Sequence, residues 1–227
     1  MLRCVRTEFL AILLTSLGAL ASAADCCNDV LLFNGKSLDG WACHLVDPSV
    51  KMADVWRVED GVLICKGEPL GYLVTKDSFE DFELIVEWRW TPGKQPGNNG
   101  VLLRICGEPI GFMPKCFEAQ LKHGSAGDIW AFRGTRITGP AERVRTVENH
   151  KVLGTFFGTP ALKNAEKEAG QWNEYRITFR GDRLTVAVNG EQVNEATGCD
   201  QVAGPIGLQS EGGEIQFRTV KLTRLAK

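Results

Sequence analysis

The chain has 227 residues and a formal charge of −2 at pH 7, with acids and bases interspersed. That balance argues against nucleic acid or an anionic membrane surface as a partner. With 44% hydrophobic residues and no Pro- or Ser-rich linker, the length suits one large domain with a substantial core.

The first residues read as a secretory leader. Arg3 and Arg6 give the positive start, Phe9 to Leu20 the apolar run, and Ala21-Ser22-Ala23 a small-residue cleavage site. The run is short for a membrane span, and no later stretch reaches about 18 apolar residues. Ala23-Ala24-Asp25, ahead of Cys26, does not form a lipobox. The expected organisation is a leader over residues 1–23 and a single domain over residues 24–227. The destination is periplasmic or extracellular, with no membrane insertion after cleavage.

Strand-like runs then recur: VLLF, VWRV, VLIC, YLVT, FELIVEWRW, GVLLRI and FEAQLK, followed by WNEYRITFRG, LTVAVNG and EIQFRTVKL. Gly, Asn, Asp and Pro punctuate them, as in an antiparallel all-β domain. RITFRGDRLTVAVNGEQV reads as a three-strand meander turning at Gly181-Asp182 and at Asn189-Gly190, the second a strong hairpin signal. Convincing amphipathic helices are absent, and Ala161 to Glu168 offers a short turn or two. Gly139 to Gly170 is long and poorly patterned, which predicts a functional or mobile loop. Two packed antiparallel sheets with long loops at the rim are the most economical arrangement.

The central runs carry the chemistry. In FELIVEWRW, Phe82, Leu84, Val86, Trp88 and Trp90 point one way, which predicts core; Ile85, Glu87 and Arg89 point the other. If the three central runs are neighbours, one sheet face carries Glu87, Arg89, Arg104, Glu118, Gln120 and Lys122. Two acids, two arginines, a lysine and an amide can bind and polarise a polyhydroxylated substrate. The same set also reads as a solvated face crossed by ordinary ion pairs. Trp130 offers an aromatic face to a sugar ring. His123 reads as a surface residue, and Asp128 as the cap of a turn.

Eight cysteines are present, and removal of Cys4 with the leader leaves an odd number, so at least one is unpaired or paired between chains. No CxxC spacing occurs and there are only three histidines, which argues against a Cys/His zinc site. Cys106 and Cys116 flank the turn GEPIGFMPK and are expected to form a disulfide.

LFNGKSLDGW (Leu32 to Trp41), WRVEDGVL (Trp56 to Leu63), FELIVEWRW, NNGVLLRI, FEAQLKHGSAGDIW, the meander and GPIGLQSEGGEIQFRTVKL together resemble the 3-keto-disaccharide hydrolase family, in order and over essentially the whole chain after the leader. The resemblance implies a concanavalin A-like, lectin/glucanase-type jelly-roll sandwich. It also implies action on a small carbohydrate, a glycoside oxidised to a ketone at the third carbon, by elimination, hydration or net hydrolysis. The site positions it implies here are Glu87, Arg89, Asn99, Arg104, Glu118, Gln120 and Gln209. No cofactor is certain, and a divalent cation stays open. Many relatives read an acid where this chain has His123 and a histidine where it has Glu211, so base, acid and any metal ligand stay open too.

A ketone at the third carbon acidifies the hydrogen on the second, and its removal gives an enolate that can expel the aglycone. That requires a base, donors for the enolate oxygen and an acid for the leaving group. Glu118 is the candidate base. Lys122 can protonate or hold the enolate, and Glu87 serves as the acid or simply holds Arg89. A non-catalytic carbohydrate-binding module and a two-carboxylate glycosidase using Glu87 and Glu118 remain the alternatives.

Overall fold

Alternating sequence becomes strand over about half of the computed structural model, which describes residues 28–226. The expected leader, Cys26 and Cys27 lie outside the described residues. The first elements are β1 (Asp29–Phe33), β2 (Trp41–Leu45), the one-turn helix α1 (Met52–Val55), β3 (Trp56–Glu59), β4 (Val62–Cys65) and β5 (Gly71–Thr75). The long strands β6 (Phe82–Trp90), β7 (Gly100–Ile110) and β8 (Met113–Gln120) come next, then β9 (Ile129–Phe132), β10 (Arg145–His150) and β11 (Gly154–Thr159). The chain closes with β12 (Asn173–Arg180), β13 (Arg183–Val188), β14 (Glu191–Ala196), β15 (Gly207–Ser210) and β16 (Ile215–Arg224).

These strands form two eight-stranded antiparallel sheets. The first runs β14-β13-β12-β6-β16-β4-β3, with β1 also paired to β16, and the second runs β10-β11-β9-β8-β7-β15-β5-β2. The fold is therefore all-β, a sandwich of two antiparallel sheets. In β6 burial alternates residue by residue, and the inward set Phe82, Leu84, Val86, Trp88 and Trp90 is almost wholly buried. Across the sandwich, Phe117 of β8 meets Phe179 of β12 edge-on at 5.3 Å. Burying each such ring contributes roughly 2–3 kcal/mol, so this seam does much to hold the two sheets together.

The meander turns where expected. Asn189 (φ 52°) and Gly190 (φ 82°) adopt the left-handed pair that a two-residue hairpin loop requires. Three expectations change. The segment from Gly139 to Gly170 is not a loop throughout but contains the β10–β11 hairpin, while Ala161 to Glu168 stays irregular. Cys106 and Cys116 are free thiols. Cys106 pairs with Lys115 across a bulged stretch of β7, so Cys116 is one residue out of step, and its Sγ lies 3.9 Å from Met113 Sδ. Finally, β6 is not a neighbour of β7 and β8; it lies in the opposite sheet, between β12 and β16.

Candidate functional site

The inward face of the second sheet belongs to the main core, so chemistry on that sheet must sit on its outer face. Register decides who shares it. Gln120 lies opposite Gly100, and Glu118 lies opposite Leu102 on one side and Trp130 on the other. Two glycines make room there. A Cβ at position 100 would strike Oε1 of Glu118 and come within 2.6 Å of Oε1 of Gln209, so the missing side chain lets carboxyl and amide lie over the strand. A Cβ at position 158 would run into the Trp130 ring. Glu118 is 1% exposed and Gln209 fully buried, yet Oε1 of Glu118 and both side-chain polar atoms of Gln209 lack a protein partner. Buried polar atoms left unpaired are costly, and sites that bind a ligand are where such atoms persist.

This face opens into a cleft of about 270 Å³. Its polar half is lined by Asn98, Gln120, Lys122, Ser125, Asp128 and Glu211, around Glu118. Burial pushes the Glu118 carboxyl well above the usual range, and the charges of Glu211 and Asp128 push it further. Burial raises Glu211 to about 7, against the opposing pull of a hydrogen bond from Asn98 and the charge of Lys122. Asp128 is also raised by burial, although its Oδ1 accepts the Ala161 N–H at 2.7 Å; rather than capping its own turn, its side chain ties that turn to the segment after β11, and it lines the cleft. The Lys122 backbone N–H donates to Gln120 Oε1 at 3.0 Å, which ties these two cleft residues together. Among the described residues no group of three or more His, Cys, Asp or Glu is arranged to hold a metal ion, so no step is derived through one. A cleft of about 300 Å³ beside Arg143 is larger, but that guanidinium already donates to Pro160 O and Asn194 Oδ1, and the carboxyl that lines it, Glu195, is ion-paired with Arg183.

The sequence-predicted residues divide. Glu118, Lys122, Gln120 and Trp130 meet in the cleft, and Gln209 adjoins it through Gly100. Glu87 and Arg89 do not join them, because β6 belongs to the other sheet and turns them to its outer face. There Glu87 accepts from Arg218 and Thr219, each at 2.5 Å, and Arg218 holds its carboxyl below the usual range. Arg89 donates to Gln216 at 2.8 Å and lies 4.5 Å from the Trp172 ring centre.

Arg104 is likewise not on the shared face. At φ 49° it sits in the β7 bulge, which breaks the alternation and buries the side chain. Its guanidinium donates to the carbonyls of Glu80 and Asp200, pairs with Asp81 and packs 3.6 Å from the Phe179 ring centre. It is a structural clamp. Asn99 stands one residue off the cleft face, hydrogen-bonding Nδ2 to the Gln209 carbonyl at 2.5 Å. Its neighbour Asn98 lines the cleft instead. His123 is half-exposed and contacts Glu166 at 3.0 Å, in keeping with a surface residue. Asn98, Ser125 and Glu211 are polar cleft residues that the sequence reading left out. The departure from relatives at position 211 was the signal that marked one of them.

A family model described as the 3-keto-alpha-glucoside-1,2-lyase-like domain matches residues 28–223. The chain belongs to this family. Within the 3-keto-alpha-glucoside-1,2-lyase-like family setting, a 3-keto-disaccharide hydrolase of Bacteroides thetaiotaomicron is 21% identical over 242 aligned positions, covering 85% of this chain and 77% of the relative. A Parabacteroides distasonis protein, crystallised as a candidate glycosyl hydrolase, superposes with a TM-score of 0.60 at 19% identity, covering 88% of this chain and 94% of that one. The Bacillus licheniformis β-glucanase superposes at 0.58 with 11% identity, covering 86% and 97%. These likenesses agree with a concanavalin A-like, glucanase-type sandwich. The family is carbohydrate-active.

Proposed function

We propose that the cleft cleaves 3-keto-glycosides by elimination across the first and second carbons of the sugar. The observation that carries this reading is a pair of carboxyls lining one cleft in different surroundings: Glu118, 1% exposed and pushed by burial well above the usual carboxylate range, and Glu211, less buried and raised to about 7. Environments that push two carboxyls apart divide acid from base. Near neutral pH the Glu211 carboxylate removes the proton from the second carbon, and the electron pair passes into the enolate of the ketone. As the enolate collapses, the bond from the first carbon to the glycosidic oxygen breaks, and Glu118 delivers its proton to that oxygen. The products are an unsaturated keto sugar and a free alcohol; water adding across the double bond completes a net hydrolysis. Lys122 places a cation for the enolate oxygen, and Asn98 and Gln120 supply donors and acceptors for hydroxyls. Trp130 gives the ring an apolar face.

The assignment reverses the sequence expectation for Glu118, from base to acid, because full burial favours its neutral form. Glu87, across the sandwich, takes no part, and a glycosidase pair of Glu87 and Glu118 is inconsistent with their separate sheets.

The test is incubation of the purified protein with matched oxidised and unoxidised glycosides. Cleavage is expected only where the third carbon carries the ketone, and Glu118→Gln is expected to lower kcat by 10²-fold or more while binding persists. Equal cleavage of both substrates points instead to a conventional glycosidase. Binding without cleavage of either points to a carbohydrate-binding module.

A further inference from the structure

The same cleft has a second half that the proposed chemistry does not use. Along β8 the outer face passes from Gln120 to Glu118 to Cys116, steps of about 7 Å each. Beside it β9 passes from Trp130 to Phe132. Beyond Glu118 the lining turns apolar: Met113, Phe132, Leu153 and Phe156. They belong to an apolar cluster on the outer face of the second sheet, separate from the main core. Phe156 stacks edge-on against Trp130 at 5.5 Å and lies 5.0 Å from Phe132.

This half is held in shape. Arg133 donates to the carbonyls of Ile110 and Val152 at 2.8 and 2.7 Å, clamping the tip of the β7–β8 hairpin to the tip of the β10–β11 hairpin. His44 Nε2 contacts the Gly111 carbonyl at 2.8 Å from the other side. His150 Nδ1 accepts the N–H groups of Val152 and Leu153, fixing the second tip. At these two hairpin tips Ile110 is 61% exposed and Val152 49%.

We propose that this apolar half is the aglycone subsite, and that the preferred substrates carry an apolar ring or chain, rather than a second sugar, on the glycosidic oxygen. The inference rests on the cleavage reading above. Glu118 stands at the boundary between the two halves, where a proton donor to the glycosidic oxygen belongs, with the oxidised sugar on the Gln120 and Lys122 side. A second sugar beyond it would lay its hydroxyls against Met113, Phe132, Leu153 and Phe156, none of which offers a strong hydrogen-bond partner, at the cost of their hydration. An apolar aglycone loses nothing there and leaves water.

Methyl and cyclohexyl 3-keto-glucosides separate packing from leaving-group chemistry, since the two alcohols have similar acidity. The cyclohexyl compound is expected to exceed the methyl compound in kcat/KM by about tenfold or more, on the usual gain per buried methylene. A 3-keto-disaccharide is expected to fall below both. Leu153→Asn should bring the cyclohexyl-to-methyl ratio within about threefold, and Leu153→Met should keep the ratio. Equal kcat/KM for the two compounds, or preference for the disaccharide, overturns the subsite while the cleavage reading stands. If neither oxidised glycoside is consumed, it is the cleavage reading that fails. Calorimetric binding of unoxidised cyclohexyl and methyl glucosides then decides the subsite alone: tighter cyclohexyl binding that Leu153→Asn abolishes supports it, and equal binding overturns it.

Discussion

Glu211 concentrates the conflict between stability and chemistry in a single side chain. Its carboxyl titrates from a reference of 4.5 when unfolded to about 7 when folded, with burial as the first cause. A raised folded pKa means that the native state holds the proton more tightly than the unfolded chain. Stability from this group is therefore fully present below about pH 4.5 and is lost as pH rises through about 7. The shift corresponds to roughly 3 kcal/mol at pH 8. Glu211→Gln removes the titration while keeping the shape. The variant is expected to match the wild type in denaturant midpoint near pH 4.5 and to exceed it by about 2–3 kcal/mol at pH 8. It should also lose the acid limb, near pH 7, of the wild-type kcat/KM profile. Equal stability of the two proteins at pH 8 would mean that position 211 buries no charge, and the assignment of Glu211 as base would fall with it.

At the scale of the element, β7 and β8 build the site through what β7 lacks. The Gly100 backbone is not strained, so replacing it with alanine costs mainly the collision with Glu118 and Gln209. Gly100→Ala is expected to lower kcat/KM at least tenfold by displacing the Glu118 carboxyl, and to cost about 1–3 kcal/mol as an overpacked position. Turnover and thermal melting of one preparation check both; undiminished turnover would show that the gap does not position Glu118. The same two strands mark how far the sequence could be read. Alternation assigned Glu118, Gln120 and the inward Phe117 correctly, because a two-residue period fixes faces wherever a strand is regular. It failed at Arg104, where the bulge sets the residue at φ 49° and nothing in GVLLRI announces it. It failed for β10, whose RTVENH lies almost wholly exposed and carries no apolar face to detect. Strands β2, β9 and β15 are short, at four or five residues, and in β9 apolar cover on both faces blurs the period.

At the scale of the whole molecule, the lesson is which sheet a strand joins. The faces of β6 were legible, as Trp88 and Trp90 in the core confirm, but its partners are not local: Trp88 pairs with Asn173 on β12 and with Phe217 on β16. Such pairing depends on contacts 85 and 129 residues away, and one sequence does not encode them as a pattern. The consequence is functional. Glu87 and Arg89 lie outside the first sheet, the cleft lies outside the second, and the sheet-to-sheet spacing of about 10 Å plus two layers of side chains separates them. Glu87→Gln and Arg89→Ala are therefore each expected to leave kcat/KM on a 3-keto-glycoside within about twofold of wild type. Their ion-pair and stacking partners are solvent-accessible, so each should cost no more than about 1 kcal/mol in a denaturation curve. Glu118→Gln in the same assay is the contrast, being equally conservative in shape but placed in the cleft. A tenfold loss from Glu87→Gln in a protein of unchanged stability would move the reaction to the opposite face of the sandwich, because no packing path from Glu87 needs to reach Glu118 for the fold to hold.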